Sequence, residues 1–246
     1  MNIVFVSPKG GVGKTTSLLT FANALFLLHP EIRVSFIDTD VHSQTLRAFF
    51  ATRGQLPSDQ KTVGEDRYRF NYLGGLDLPE LCEVVQEKMD WGDVSLIDLH
   101  GSEGDLNRFL TLLADVVIIP SRIGQSDLVP AISYLNDVEL EASRIGIELS
   151  AAFLLTFVPP ARFMSEMDRI LKKNIHSINI PVFDTNIQDR PVYKRAQDRG
   201  IFLMEGAGIL GSEAGLSGAT DESVKLYSEI IRLYGRQLPI PKKEEA

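Results

Sequence analysis

Cysteine is nearly absent from this 246-residue chain, where Cys82 stands alone. A single thiol excludes an internal disulfide and any metal site or iron cluster built on several cysteines. Long apolar runs are missing too. The longest, Phe21–Leu28, is interrupted by Asn23 and falls far short of the ~20 residues that cross a bilayer. The first apolar run opens at Ile3, which leaves no room for a secretory leader, so the expectation is a cytoplasmic protein. An excess of positive charge is also lacking. The net charge of −8 argues against a protein that coats DNA by bulk attraction. Internal repeats and dividing linkers are absent as well, which predicts a single domain over 1–236 followed by a disordered tail over 237–246.

What is present is concentrated in residues 9–16, Lys-Gly-Gly-Val-Gly-Lys-Thr-Thr, directly after the apolar run Ile3–Val6. Glycines let backbone N–H groups curl around phosphate oxygens, Lys14 can reach the outer phosphates, and the Thr15 hydroxyl can bind Mg²⁺. Pro8 stands where the general phosphate-loop pattern has its first glycine, and a second lysine, Lys9, lies five residues before Lys14. The bland alternative is a glycine-rich strand–helix turn with two solvated lysines. Residue types, spacing and context together weigh against it.

Short apolar runs recur at Ile3–Val6, Val34–Ile37, Val94–Ile97, Val116–Ile119 and Ala151–Thr156, with Pro181–Phe183 weaker. They do not alternate polar and apolar, as expected of parallel strands buried on both faces. Helical periodicity fills 15–28, 43–52, 79–89, 104–113, 126–144, 162–176 and 221–235. Strand then helix, repeated, predicts an α/β, doubly wound, mostly parallel sheet with helices on both faces and sites at the strands' C-terminal ends. Residues 53–69 and the glycine-rich 205–218 read as loops. The last helix places Val224, Tyr227, Ile230, Ile231 and Tyr234 on one face; its mixed-sign polar face fits core docking and not a membrane surface.

Two strand ends supply carboxylates: Asp38 and Asp40 after the second run, and Asp98 in Asp98-Leu99-His100-Gly101. Charge is uneven. Eight basic against five acidic residues between Arg162 and Arg199 make that stretch +3 and leave −11 elsewhere. A local basic face on an acidic protein fits weak, salt-sensitive nucleic-acid contact or simply a solvated helix surface.

The paired lysines of 9–16 resemble the deviant Walker A motif of the ParA/MinD family of ATPases. The run from Phe153 to Leu203, with Pro159, Arg162, Arg190 and Arg199-Gly200, most resembles small ParA proteins, and the Asp-x-His-Gly segment resembles the VirC-type homologues of plasmid transfer systems. The resemblance implies a P-loop ATPase using ATP and Mg²⁺. Gly10, Gly11, Val12, Gly13, Lys14, Thr15 and Thr16 would cradle the nucleotide, and the Gly101 amide would meet its γ-phosphate. Thr15, Asp38 and Asp98 would serve the metal. Asp40 would position the hydrolytic water, with Val41-His42-Ser43-Gln44 in place of the Pro-Gln that often follows it. His42 and His100 read as loop hydrogen-bonding residues. Base recognition would fall to Thr156–Pro160 and Asn186–Pro191, which include Pro159 and Arg190. By the same resemblance Lys9 would act in trans, so that Lys9, Lys14 and Asp40 form the catalytic set of an ATP sandwich homodimer. That dimer would bind double-stranded DNA non-specifically through Arg162, Lys172, Lys173, Arg190, Lys194 and Arg195. A ParB-like or other adaptor would stimulate hydrolysis on the nucleoid, with no membrane involved. The alternative is a metabolic P-loop enzyme of the dethiobiotin synthetase type, against which Lys9 counts.

Overall fold

A computed structural model describes residues 1–41, 44–100, 104–175, 181–210, 213–235 and Leu238. Six parallel strands are β1 (Asn2–Phe5), β2 (Val34–Asp38), β3 (Tyr68–Tyr72), β4 (Val94–Asp98), β5 (Val116–Ser121) and β6 (Ala151–Leu155), arranged β3-β2-β4-β1-β5-β6. The helices are α1 (Lys14–Leu28), α2 (Thr45–Gly54), α3 (Leu78–Asp90), α4 (Asp105–Leu112), α5 (Gln125–Arg144), α6 (Glu166–Asn174), α7 (Pro191–Arg199) and α8 (Glu213–Tyr234).

Strand alternation explains the two layers. Ile3 and Phe5 of β1 face one apolar cluster with α1, α2, α7 and α8, while Val4 and Val6 face a second with α3, α4 and α5. Successive side chains of a strand point to opposite faces, so a continuous apolar run is what a sheet covered on both sides requires. The doubly wound α/β arrangement expected from the sequence is the one observed.

Several elements differ from the sequence expectation, among them the helix read over 162–176, which is the shorter α6. Residues 68–72 form the edge strand β3 and not the end of a loop. Its Tyr-Arg-Phe-Asn-Tyr sequence alternates only weakly and is only partly buried, so it lacked the apolar run that marks the inner strands. Helix α7 was not anticipated, although Pro191 at its first position and Gly200, left-handed at φ 62° beyond its end, are standard start and stop signals. Helix α8 begins at Glu213, well before 221. Its Gly218 reads as loop in sequence, but a Cβ there would lie 2.9 Å from the Arg190 guanidinium carbon. The weak run at Pro181–Phe183 makes only an isolated parallel bridge, Val182 to Phe153. The tail beyond 238 lies outside the described residues.

Candidate nucleotide and metal site

The loop between β1 and α1 ends on Gly13, at φ 92° and without a side-chain cap. A Cβ at Gly13 would stand 3.0 Å from Phe157 Cε2 and 3.2 Å from Thr156 Cβ, so only glycine fits. The uncapped start of α1 leaves backbone N–H groups directed at the cavity beside it, the arrangement that binds anions. That cavity, about 240 Å³, is lined by Gly10, Gly11, Gly13, Lys14, Thr15 and Thr16 together with Asp40, Thr45, Phe157 and Gln197. Val12 is buried beneath the loop, where its carbonyl accepts from the Thr156 hydroxyl at 2.5 Å.

Lys14 is buried, and its Nζ donates to the Lys9 carbonyl at 3.4 Å. The ammonium is thus held inside the loop where phosphate charge would lie. Lys9 points elsewhere: its Nζ pairs with Asp127 Oδ1 at 3.1 Å, in the first turn of α5.

The carboxylates converge because β2 and β4 pair with Asp38 opposite Asp98. Thr15 donates its hydroxyl to Asp98 Oδ2 at 2.5 Å, and the Asp40 amide donates to Asp38 Oδ1 at 2.9 Å. The remaining oxygens, Asp38 Oδ2 and Asp98 Oδ1, are buried and accept no hydrogen bond among the described residues, with Arg47 Nε 3.9 Å from Asp38 Oδ2. Burial pushes the Asp98 carboxyl up to about 7 against the opposing pull of the Thr15 hydroxyl and Lys14. It pushes Asp38 up to about 6 against the Asp40 amide and Arg47. Orphaned buried carboxylate oxygens are costly, and these two flank a threonine hydroxyl. One or two carboxylates plus a hydroxyl suit Mg²⁺, which keeps several waters of its own. The residues present therefore fit the metal.

Asp40 is buried at the cavity wall, with His100 Nε2 3.8 Å from its Oδ1. His100 thus contacts the site through Asp40. His42 and Gly101 lie outside the described residues. The two loops expected to meet the base are adjacent: Val158 N donates to Ile187 O, and Asp189 N to Val158 O, at 3.1 and 3.0 Å. Pro159 is partly exposed at their junction. Arg190 instead turns toward α8, pairing its Nε with Glu222 Oε1 at 2.9 Å.

The basic residues divide between two elements. Arg162 stacks over Phe163 at 4.7 Å just before α6, which carries partly buried Lys172 and exposed Lys173. Lys194 and Arg195 are exposed on α7, which Arg190 precedes.

Three cavity or loop contacts were not singled out in the sequence, Thr45, Gln197 and Asp127, whereas Phe157 falls within the Thr156–Pro160 stretch expected to meet the base. Phe157 adopts φ 48°, unusual for a bulky residue, and Arg122 stacks over its ring at 5.0 Å. Gln197 Nε2 donates to Thr16 Oγ1 at 2.7 Å. No local pattern marks Thr45, Asp127 or Gln197, because each reaches the loop from another helix, α2, α5 or α7.

Residues 1–213 match the family described as VirC1 protein. A curated relative, protein virC1 of Rhizobium radiobacter, is 24% identical over 94% of this chain and 91% of its own length. Among solved structures, the ATP complex of a variant McdA from Cyanothece has a TM-score of 0.66 at 17% identity, covering 96% of this chain and 97% of that one. MinD with Mg-ADP from Pyrococcus horikoshii has a TM-score of 0.62 at 20% identity, covering 95% and 97%. The chain belongs to the VirC1 family and is ParA/MinD-like, with the fold of the P-loop ATPases.

Proposed function

We propose that this chain hydrolyses ATP with Mg²⁺, forms an ATP-bound sandwich homodimer and uses that dimer to position DNA-linked cargo, as in plasmid partition or conjugative transfer. The observation that carries the reading is the pair of orphaned oxygens on Asp38 and Asp98 beside Thr15, at the foot of a loop holding a buried Lys14. Mg²⁺, when bound, supplies charge neutralisation on the nucleotide phosphates. Thr15, Asp38 and Asp98 would hold it; Lys14 and the loop amides would bind and orient the phosphates; Asp40 would orient the attacking water. The Gly101 amide would approach the γ-phosphate, and Pro159 would border the base.

Lys9 would leave Asp127 and reach the partner subunit's phosphates, adding positive charge in trans as an arginine finger does. Doubling the subunits doubles the phosphates neutralised on DNA, and each such contact steepens the salt dependence by about 0.9 in log–log slope. Arg162, Lys173, Lys194 and Arg195 are the exposed members of the DNA-facing set, with the partly buried Lys172 beside them. Arg190 would serve mainly to hold α7 against α8 through Glu222. An adaptor protein would stimulate hydrolysis, and the ATP-bound form would sit on the nucleoid in the cytoplasm; 1–236 would act as one domain. The metabolic-enzyme alternative is not favoured, because the family match and Lys9 both point to the ParA-like group.

The test is DNA co-sedimentation with ATP or ADP, alongside turnover, for the natural chain and for variants Lys194→Glu with Arg195→Glu, and Asp40→Ala. The double variant should lose DNA binding while keeping turnover. Asp40→Ala should keep nucleotide and DNA binding while turnover falls about a hundredfold, the scale of a lost positioning group. Equal DNA binding with either nucleotide would refute the reading.

A further inference from the structure

Helix α7 meets the nucleotide cavity through Gln197, whose Nε2 donates to Thr16 Oγ1 at 2.7 Å inside the cavity wall. Thr16 lies in the first turn of α1, one residue past the metal-facing Thr15. A hydroxyl accepts with its lone pairs and donates one O–H. Thr16 Oγ1 accepts from Gln197 and, among the described residues, donates to no other group. Its proton is therefore available to an anion in the loop.

The C-terminal end of α7 is fixed. A Cβ at Gly200 would stand 2.5 Å from the Arg53 backbone nitrogen of α2, and Arg53 Nη1 donates to the Gly200 carbonyl at 3.2 Å. Arg53 is itself fully buried in an ion pair with Glu205 at 2.7 Å. Between this anchor and the loop the packing leaves a void of about 20 Å³, room for about one water, bounded by Leu19, Thr20, Phe49, Ala196, Ile201 and Phe202. The exposed Lys194 and Arg195 occupy the turn just before Gln197.

We infer that Gln197 is a positioning residue that couples phosphate occupancy of the loop to the order of the basic helix α7. A phosphate oxygen that accepts the Thr16 proton polarises the hydroxyl and strengthens the Gln197 N–H···O bond, since hydrogen bonds in a chain reinforce one another. The strengthened bond ties the last turn of α7 more firmly to the start of α1, holding Lys194 and Arg195 on a stiffer helix. The inference rests on the nucleotide-binding reading above and adds a route from that site to the DNA-facing surface.

Hydrogen exchange of the full chain, with and without Mg-ATP, tests it in the natural protein and in Gln197→Met, which keeps the volume and removes the donor. In the natural chain Mg-ATP should slow exchange in residues 9–16 and in α7, the latter by about three- to tenfold, the scale of one neutral hydrogen bond. In Gln197→Met the loop should remain protected while the α7 response disappears. The smaller Gln197→Ala should behave alike, and thermal melts establish that both variants are folded. Persisting α7 protection in both variants, or none in the natural chain despite a protected loop, overturns the coupling. Absence of loop protection in the natural chain instead overturns nucleotide binding itself.

Discussion

Helices α1 and α6 show two different ways of being stable in one molecule. In α1, twelve of fifteen residues are buried, yet its start has no side-chain cap and no acid in the first turn. Helix α6 buries none of its nine residues and is closed by a capping box, with the Ser165 hydroxyl accepting from the Asp168 amide at 3.0 Å and the Asp168 carboxylate reaching back. Exposed Met167 and Ile170 stand on its outer side. A helix wedged into the core can dispense with a cap, and its bare N–H groups then remain available to a ligand. A helix resting on the surface depends on its local signals.

That contrast is sharpest under truncation. Phe21→Ala, in the fully buried face of α1 that stacks on Tyr227, should destabilise the fold by about 3–5 kcal/mol in denaturant melts. A cost below about 1 kcal/mol would mean that α1 is not the keystone its burial indicates.

On the proposed reading the two lysines of the loop serve different steps. Lys14→Ala should weaken ATP binding by about a hundredfold, the scale of a lost charge-assisted contact. Lys9→Ala should leave titration of the monomer near normal and abolish the ATP-dependent dimer in light scattering. Normal dimerisation of Lys9→Ala would remove the trans role, leaving only its pair with Asp127.

Titration should follow the buried carboxylates. Asp98 and Asp38, raised to about 7 and about 6, hold protons in the folded, metal-free chain that the unfolded chain has released above about pH 4. This stabilises the fold in acid and is lost as pH rises through 6 and 7. Nucleotide-free thermal stability should therefore decline from pH 5 to pH 8, by on the order of a few kcal/mol. Asp98→Asn should flatten the decline, and a melting temperature that rises across this range would contradict the orphaned-oxygen account.

The smallest effects belong to α6. Ser165→Ala should cost about 1 kcal/mol, visible as faster hydrogen exchange confined to 166–174. Met167→Ala, at an exposed position, should stay within about 0.5 kcal/mol. A large global loss from either change would show that α6 is packed more firmly than its exposure indicates.

The parallel sheet was legible because its inner strands are continuous apolar runs, and the glycine-rich loop between β1 and α1 because its signature is confined to eight adjacent residues. The two strand-end carboxylates were legible for the same reason: acids directly after buried strands. β3 escaped because an edge strand, half in water, needs no apolar run. α8 was read too short because Gly215 and Gly218 resemble loop punctuation until Arg190 is seen packed against Gly218. Local sequence thus set the elements, the loop and the acids that go with it, since backbone propensity and short motifs act over a few residues. Only the tertiary structure brought Asp127 to Lys9, Phe157 against Gly13 and Gln197 to Thr16. Those contacts span more than a hundred residues of chain, and they exist because the sheet order sets β1 between β4 and β5 and because α7 packs on α2 and α8 beside the loop.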